Sequence, residues 1–230
     1  MLILATKRDA AIPRKRSISC DSLSSISKRP PPQSTIIHFP NMNHVVVIKY
    51  KDLVKVAWKN GQGFTREIAI HPTESLFEWR LSMAELVVDG PFSEFKGINR
   101  TLLLLEGEDI VLTIDGIKHS LSVFQPISFP GDVPTSMTMG ASKKGLDLNL
   151  MWDSTKFCTS VSMMRYEDDT TFEFEYMAFV LATEISIVEY DGQLYELSKY
   201  DILHISECNS NRIKIIQGTA CISTLTKTES

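Results

Sequence analysis

The feature that most constrains this fold is a self-similarity at a spacing of 76 residues. Displaced by that interval, Glu108 falls on Glu184, Asp115-Gly116 on Asp191-Gly192, and Leu121-Ser122 on Leu197-Ser198. Leu103, Leu104 and Leu105 fall on Phe179, Val180 and Leu181, while Phe124, Ile127 and Phe129 fall on Tyr200, Leu203 and Ile205. Turns and apolar positions match together, so duplication is the better account, and the repeat has to be settled before the fold. The segments around it are short runs rich in β-branched and aromatic residues: Val45 to Tyr50, Phe77 to Val87, Thr101 to Leu105, Ile110 to Ile114, Phe172 to Leu181 and Ile213 to Ile216. Asp-Gly pairs at Asp89-Gly90, Asp115-Gly116 and Asp191-Gly192 punctuate them as hairpin turns do. No long amphipathic helix is visible, although Tyr50 to Val54 suits a single turn of one. The expected class is all-β, with two similar barrel halves.

The predicted organisation is a disordered extension over residues 1–42, a first barrel over 43–145 and a second over 146–226. The extension carries Arg14-Lys15-Arg16, a scatter of serines and Lys28-Arg29-Pro30-Pro31-Pro32, a composition that buries too little apolar surface to offset its ordering entropy. Its apolar piece, Met1 to Ala5, precedes the charges, the reverse of a signal peptide. An over-extended gene start, with Met42 as initiator, is the alternative. The net charge of -4 gives no general pull toward nucleic acid or an anionic membrane, and no apolar run approaches bilayer-spanning length. The four cysteines, Cys20, Cys158, Cys208 and Cys221, form no CxxC pair, which speaks against a zinc knuckle and for free thiols in a cytoplasmic protein.

Trp58-Lys59-Asn60-Gly61-Gln62-Gly63-Phe64-Thr65-Arg66-Glu67 reads as a recognition segment, because glycines let backbone amides approach a ligand among convergent polar side chains. Together with Phe77-x-Trp79-Arg80-x-Ser82-x-Ala84, Gly90-Pro91-Phe92-Ser93-x-Phe95-x-Gly97-x-x-Arg100-x-Leu102, Leu104-Leu105-Glu106-Gly107, Phe129-Pro130-Gly131-Asp132 and Asp147-Leu148-Asn149-Leu150-Met151, it resembles the HutD/Ves family over about residues 43–226. Gln62 departs from the pattern, which usually has a third glycine there. The resemblance implies two consecutive cupin-like (jelly-roll) barrels, a bicupin, with no established catalytic activity. Some members accompany histidine utilisation and are thought to restrain its expression by binding an intermediate such as N-formylglutamate; others are associated with environmental stress.

The usual metal cupin motif can be tested on the residues. Counting from Gly90, Lys96 and Ile98 stand at the histidine positions and Leu102 or Leu103 at the glutamate; Pro134 stands where the second motif needs histidine. None is a good ligand for a divalent metal, so no metal and no cofactor are expected.

Among the candidate ligand contacts, Arg100 stands first: it enters the apolar run Thr101 to Leu105, and its planar fork suits a carboxylate. The bland alternative is a surface cation ending a strand. Arg80 and Ser82 share one face of an alternating strand, a face that is either solvent, the default, or the lumen. Asp147 and Asn149 alternate in the same way. Arg66 and Glu67 are adjacent and so point to opposite faces. Trp58 either stacks on a ligand or closes the core, and Asn60 and Asp132 either serve a site or simply make turns. The expectation is a regulator or sensor that binds a small carboxylate-bearing metabolite. The rival is a metal-independent isomerase or hydrolase, with Glu67, Glu85 and His119 as acid-base candidates. A self-complementary edge strand would also allow a homodimer, with no residue pattern identifying the edge.

Overall fold

The structure, a computed structural model, describes residues 45–58, 63–72, 76–168, 171–206 and 210–228. The expected N-terminal extension lies outside them. After β1 (Val45–Ile48) and a 3-10 turn at Tyr50–Asp52 come β2 (Lys55–Ala57), β3 (Gly63–His71), β4 (Trp79–Leu86) and β5 (Gly90–Pro91). They are followed by β6 (Ile98–Gly107), β7 (Ile110–Ile114), β8 (Ile117–Leu121), β9 (Pro126–Pro130), β10 (Thr135–Thr138) and β11 (Gly145–Asp153). The chain continues through β12 (Phe157–Arg165), a 3-10 turn at Tyr166–Asp168, β13 (Thr171–Glu173), β14 (Met177–Ala182) and β15 (Ser186–Tyr190). It ends with β16 (Gln193–Leu197), β17 (Ile202–Ser206), β18 (Arg212–Gln217) and β19 (Thr219–Lys227). The single run expected from Phe172 to Leu181 is thus two strands, interrupted around Phe174–Tyr176.

Four antiparallel sheets make two jelly rolls. The first faces the sheet β2-β3-β4-β11-β6-β9 with β5-β10-β7-β8; the second faces β1-β17-β14-β19-β12 with β13-β18-β15-β16. The 76-residue interval carries β7 onto β15, β8 onto β16 and β9 onto β17. Asp115 and Asp191, at φ 47° and 50°, open the two matching hairpin turns, and Phe124 and Tyr200 both stand at positive φ, 66° and 69°. Such backbone is costly for bulky residues, so its repetition marks one loop design used twice.

The chain does not change barrels at the expected 145/146 boundary. Gly145–Asp153 pairs with both β4 and β6 inside the first large sheet, while Val45–Ile48 pairs with β17 in the second. A jelly roll closes by returning its last strand to the middle of the sheet, so turn punctuation alone misplaces the division.

Apolar side chains fill three layers. Ala84, Leu86, Leu102, Leu104, Leu112 and Phe129 lie inside the first barrel, and Val180, Val188, Leu203, Ile213 and Ile222 inside the second. The third and largest layer, with Leu81, Leu103, Leu148, Trp79, Phe179 and Leu181, joins the two large sheets face to face. Both faces of these sheets are therefore covered, which is why Thr101–Leu105 and Met177–Ala182 are buried throughout and read as continuous apolar runs rather than alternations.

Candidate functional site

The first barrel's lumen is apolar at one end and polar at the other, because three rungs of the β4–β11–β6 ladder carry polar side chains inward. Arg80, Met151 and Arg100 form one rung, Ser82, Asn149 and Leu102 the next, and Ala84, Asp147 and Leu104 the third. Alternation along β4 and β6 sends Arg80, Ser82 and Arg100 to the same face as Ala84, Leu102 and Leu104, which line the lumen. The sequence left open whether that face met solvent, and the structure encloses it: Ser82, Arg100, Asp147 and Asn149 are all buried.

Arg100 is the centre of the cluster. It is only 4% exposed, its guanidinium lies 4.8 Å from the Phe92 ring and 5.6 Å from that of Phe129, and Nη1 donates a long bond of 3.4 Å to the Ser93 carbonyl. Its Nε has no hydrogen-bond partner, and neither has Oδ1 of Asn149. Burial pulls the Arg100 pKa down to about 10, against the opposing pull of Asp147, so it remains a cation at neutral pH. Asp147 accepts from the Ala84 backbone N–H at 3.1 Å. Burial drives its carboxyl up to about 7, although Arg100 and that hydrogen bond both favour the charged form. Arg80 is already neutralised, its Nε donating to Glu67 at 3.0 Å. The lumen therefore holds one uncompensated cation whenever Asp147 is protonated, beside a free donor and a free acceptor. A small anion carrying an N–H would complement all three groups.

The register of β3 against β4 accounts for the placement of Glu67 and Arg66, and a bulge follows them. Glu67 stands opposite Ser82 and Ala69 opposite Leu81, so Ile68 is the extra residue. Glu67 turns into the lumen toward Arg80, whereas Arg66 leaves by the other face to bind Glu85 at 2.5 Å and cover the Tyr50 ring at 4.8 Å. Arg66 is thus not part of the lumen cluster, because adjacent strand residues take opposite faces. Trp58 is half-buried against the first-barrel core, donates from its indole N–H to the Thr65 hydroxyl at 2.8 Å, and closes over Gly63, where a Cβ would stand 2.7 Å from its ring. It seals the core. Asp132 is exposed in the turn after β9, and Asn60 lies outside the described residues.

The acid-base candidates do not converge: Glu67 is tied to Arg80, Glu85 to Lys55 and Arg66 on the opposite face, and His119 sits on β8 of the small sheet. Among the described residues no three His, Cys, Asp or Glu side chains group within reach of one metal ion, and no helix is long and apolar enough to cross a membrane. A groove of about 300 Å³ opens between the barrels, lined in part by Tyr50, Glu85, Glu106, Leu146 and Tyr200. Its carboxylates are already bridged to Lys55, Arg66 and Lys199, so the unmet polar groups of the lumen make the stronger site. What sequence reasoning missed was the pairing of Glu67 with Arg80. The three-residue strand offset that a bulge permits would have been its only signal.

Comparison with known proteins agrees with this architecture. The chain is 37% identical over 109 residues to Protein Ves of Citrobacter koseri, a match covering 45% of this chain and 57% of that protein; the chain thus spans little more than half the length of the curated relative. A conserved protein of unknown function from Pseudomonas aeruginosa PAO1 superposes with a TM-score of 0.72 at 25% identity, covering 80% of this chain and all of that one. HutD from Pseudomonas fluorescens SBW25, solved in a formate condition, superposes with a TM-score of 0.70 at 28% identity, with the same coverage of 80% and 100%. The HutD family model matches residues 50–222, and with its cupin-like double jelly roll the chain belongs to the HutD family.

Proposed function

We propose that this protein is a cytoplasmic regulator or sensor that binds a small carboxylate-bearing metabolite in the lumen of its first barrel. The observation that carries the reading is the unpartnered Nε of a buried, still-charged Arg100. An unmet buried donor on a cation costs free energy unless a ligand completes it. Asn149 Oδ1, unpartnered two residues from Asp147 along β11, asks in addition for a donor on the ligand. An acid that also carries an N–H, such as an N-formylglutamate-like intermediate of histidine degradation, has both groups. Titration calorimetry with a panel of such acids tests the reading. Arg100→Met should weaken binding by about 1.5–3 kcal/mol, the worth of a charge-assisted hydrogen bond; unchanged affinity with the fold intact would remove Arg100 from the site.

One observation favours a second reading. A buried carboxyl pushed up to about 7, as burial does to Asp147, suits proton transfer, so a metal-independent isomerase or hydrolase acting on an amino-acid derivative is the rival. Chemical change in a bound acid, lost in Asp147→Asn, would select it.

A further inference from the structure

Duplication matches four strands of the two large sheets, β4, β11, β6 and β9 with β12, β19, β14 and β17, and leaves β3 without a counterpart in the second. Ser82 opposite Asn149 in the first barrel corresponds to Ser160 opposite Thr224 in the second, which makes β12 the counterpart of β4. In the first barrel β3 covers the outer side of β4 in an antiparallel ladder from Gly63–Leu86 to His71–Trp79. In the second, β12 pairs with β19 alone among the described residues. Apart from the Arg165 N–H, which donates to Asp168 at 2.9 Å, one side of this nine-residue strand is left as a template for pairing.

The other sheet edges carry features that discourage such pairing. β1, β2, β5 and β13 are only four, three, two and three residues long. β9 begins and ends with proline, while β8 carries Lys118 and β16 carries Glu196. β12 has no proline, its ladder with β19 runs without a bulge from Phe157 to Arg165, and its one charge, Arg165, stands at its end.

We infer that β12 is a dimerisation edge, on which β12 of a second copy of this chain pairs antiparallel and joins two five-stranded sheets into one. Symmetry and charge select that occupant. A strand pairing antiparallel with itself obeys a two-fold axis, and it sends Arg165 toward the Phe157 end of the other copy, so like charges do not meet across the join. The β3–β4 ladder supplies the precedent: this side of the same sheet design accepts a nine-residue antiparallel strand. The exposed side chains along the edge, Cys158 and Ser160, are small and uncharged and leave room for the approach.

Sedimentation velocity of the full chain across the micromolar range, with amide exchange followed on β12, tests this. The expected result is a monomer–dimer equilibrium in which β12 amides gain protection as the dimer fills. Cys158→Lys with Ser160→Lys, and separately Cys158→Glu with Ser160→Glu, should each weaken the dimer by more than about tenfold through like-charge apposition. Mixing the two variants should restore it as a heterodimer. A chain that stays monomeric throughout, or a dimer indifferent to both variants, would overturn the inference. So would β12 amides protected equally at every concentration, the sign that another segment, such as the residues before Val45, covers the edge; this readout uses the unaltered chain and survives any failure of a variant to fold.

Discussion

Replacing Asp147 by asparagine should make this protein more stable, by an amount that grows as pH rises from about 4 to about 7 and is full above that. Burial lifts the Asp147 carboxyl from 3.8 to about 7. The folded state therefore holds the proton more tightly than the unfolded state. The resulting stabilisation is complete below the unfolded value and is lost as pH rises through about 7. At about 1.36 kcal/mol per pH unit, ionising Asp147 inside the fold costs roughly 4 kcal/mol. His204 works in the opposite sense. On β17, stacked 4.5 Å from the Phe179 ring, it is pulled by burial from 6.5 to about 4. Its contribution is present above 6.5 and is lost as pH falls through about 4, a matter of roughly 3 kcal/mol. Between about pH 4 and 6.5 the two slopes oppose, so these groups leave the wild-type profile nearly flat there. Asp147→Asn keeps an oxygen for the Ala84 N–H and removes one slope. Urea unfolding of ligand-free protein should show the variant about 4 kcal/mol more stable than wild type at about pH 8, with the gain vanishing near about pH 4. The variant's own stability should then fall toward acid as His204 charges. A variant less stable than wild type at alkaline pH, or a difference independent of pH, would refute the reasoning: it would mean that Asp147 is ionised and held by Arg100.

Ligand binding should follow the same carboxyl. Affinity for a small acid, measured by calorimetry, should decline as pH rises through about 7 and Asp147 comes to compete for Arg100, and Asp147→Asn should flatten that decline. Gly131→Ala should cost about 1–3 kcal/mol in denaturant unfolding and lower ligand affinity, since its Cβ would stand 2.6 Å from the Ile98 carbonyl and 3.4 Å from the Arg100 stem. Leu103→Ala, in the fully buried layer between the barrels, should cost about 2–5 kcal/mol in the same assay. Asp201 accepts from Lys49 Nζ and from the backbone N–H groups of Tyr50 and Ser198. Asp201→Ala should destabilise by about 1.5–3 kcal/mol and raise amide exchange around Tyr50–Asp52.

The 76-residue repeat was legible because it rests on local chemistry. Asp-Gly sets a tight hairpin whatever surrounds it, and the apolar residues of a strand show their spacing in any context. From these the sequence determined an all-β chain of two like halves, and its motifs determined the family. It also determined which polar residues share a face, Arg80 with Ser82 and Asp147 with Asn149. It could not tell that this face was enclosed, because enclosure depends on the small sheet β5-β10-β7-β8 closing over it. Nor did it place β11 in the first barrel or β1 in the second, since both assignments are long-range pairings. Arg66 and Glu67 show the same division on the smallest scale. Alternation separated them, and only the register with β4, which sets Glu67 opposite Ser82 and Arg66 opposite Met83, decided which one entered the lumen. The duplicated halves also diverge where sequence spacing is silent. By ladder register, Ile222 stands in the second barrel where Asp147 stands in the first. The second barrel carries an apolar side chain at that rung and the first a buried carboxyl, because in the first the tertiary structure brings Arg100, Asp147 and Asn149 together from two neighbouring strands.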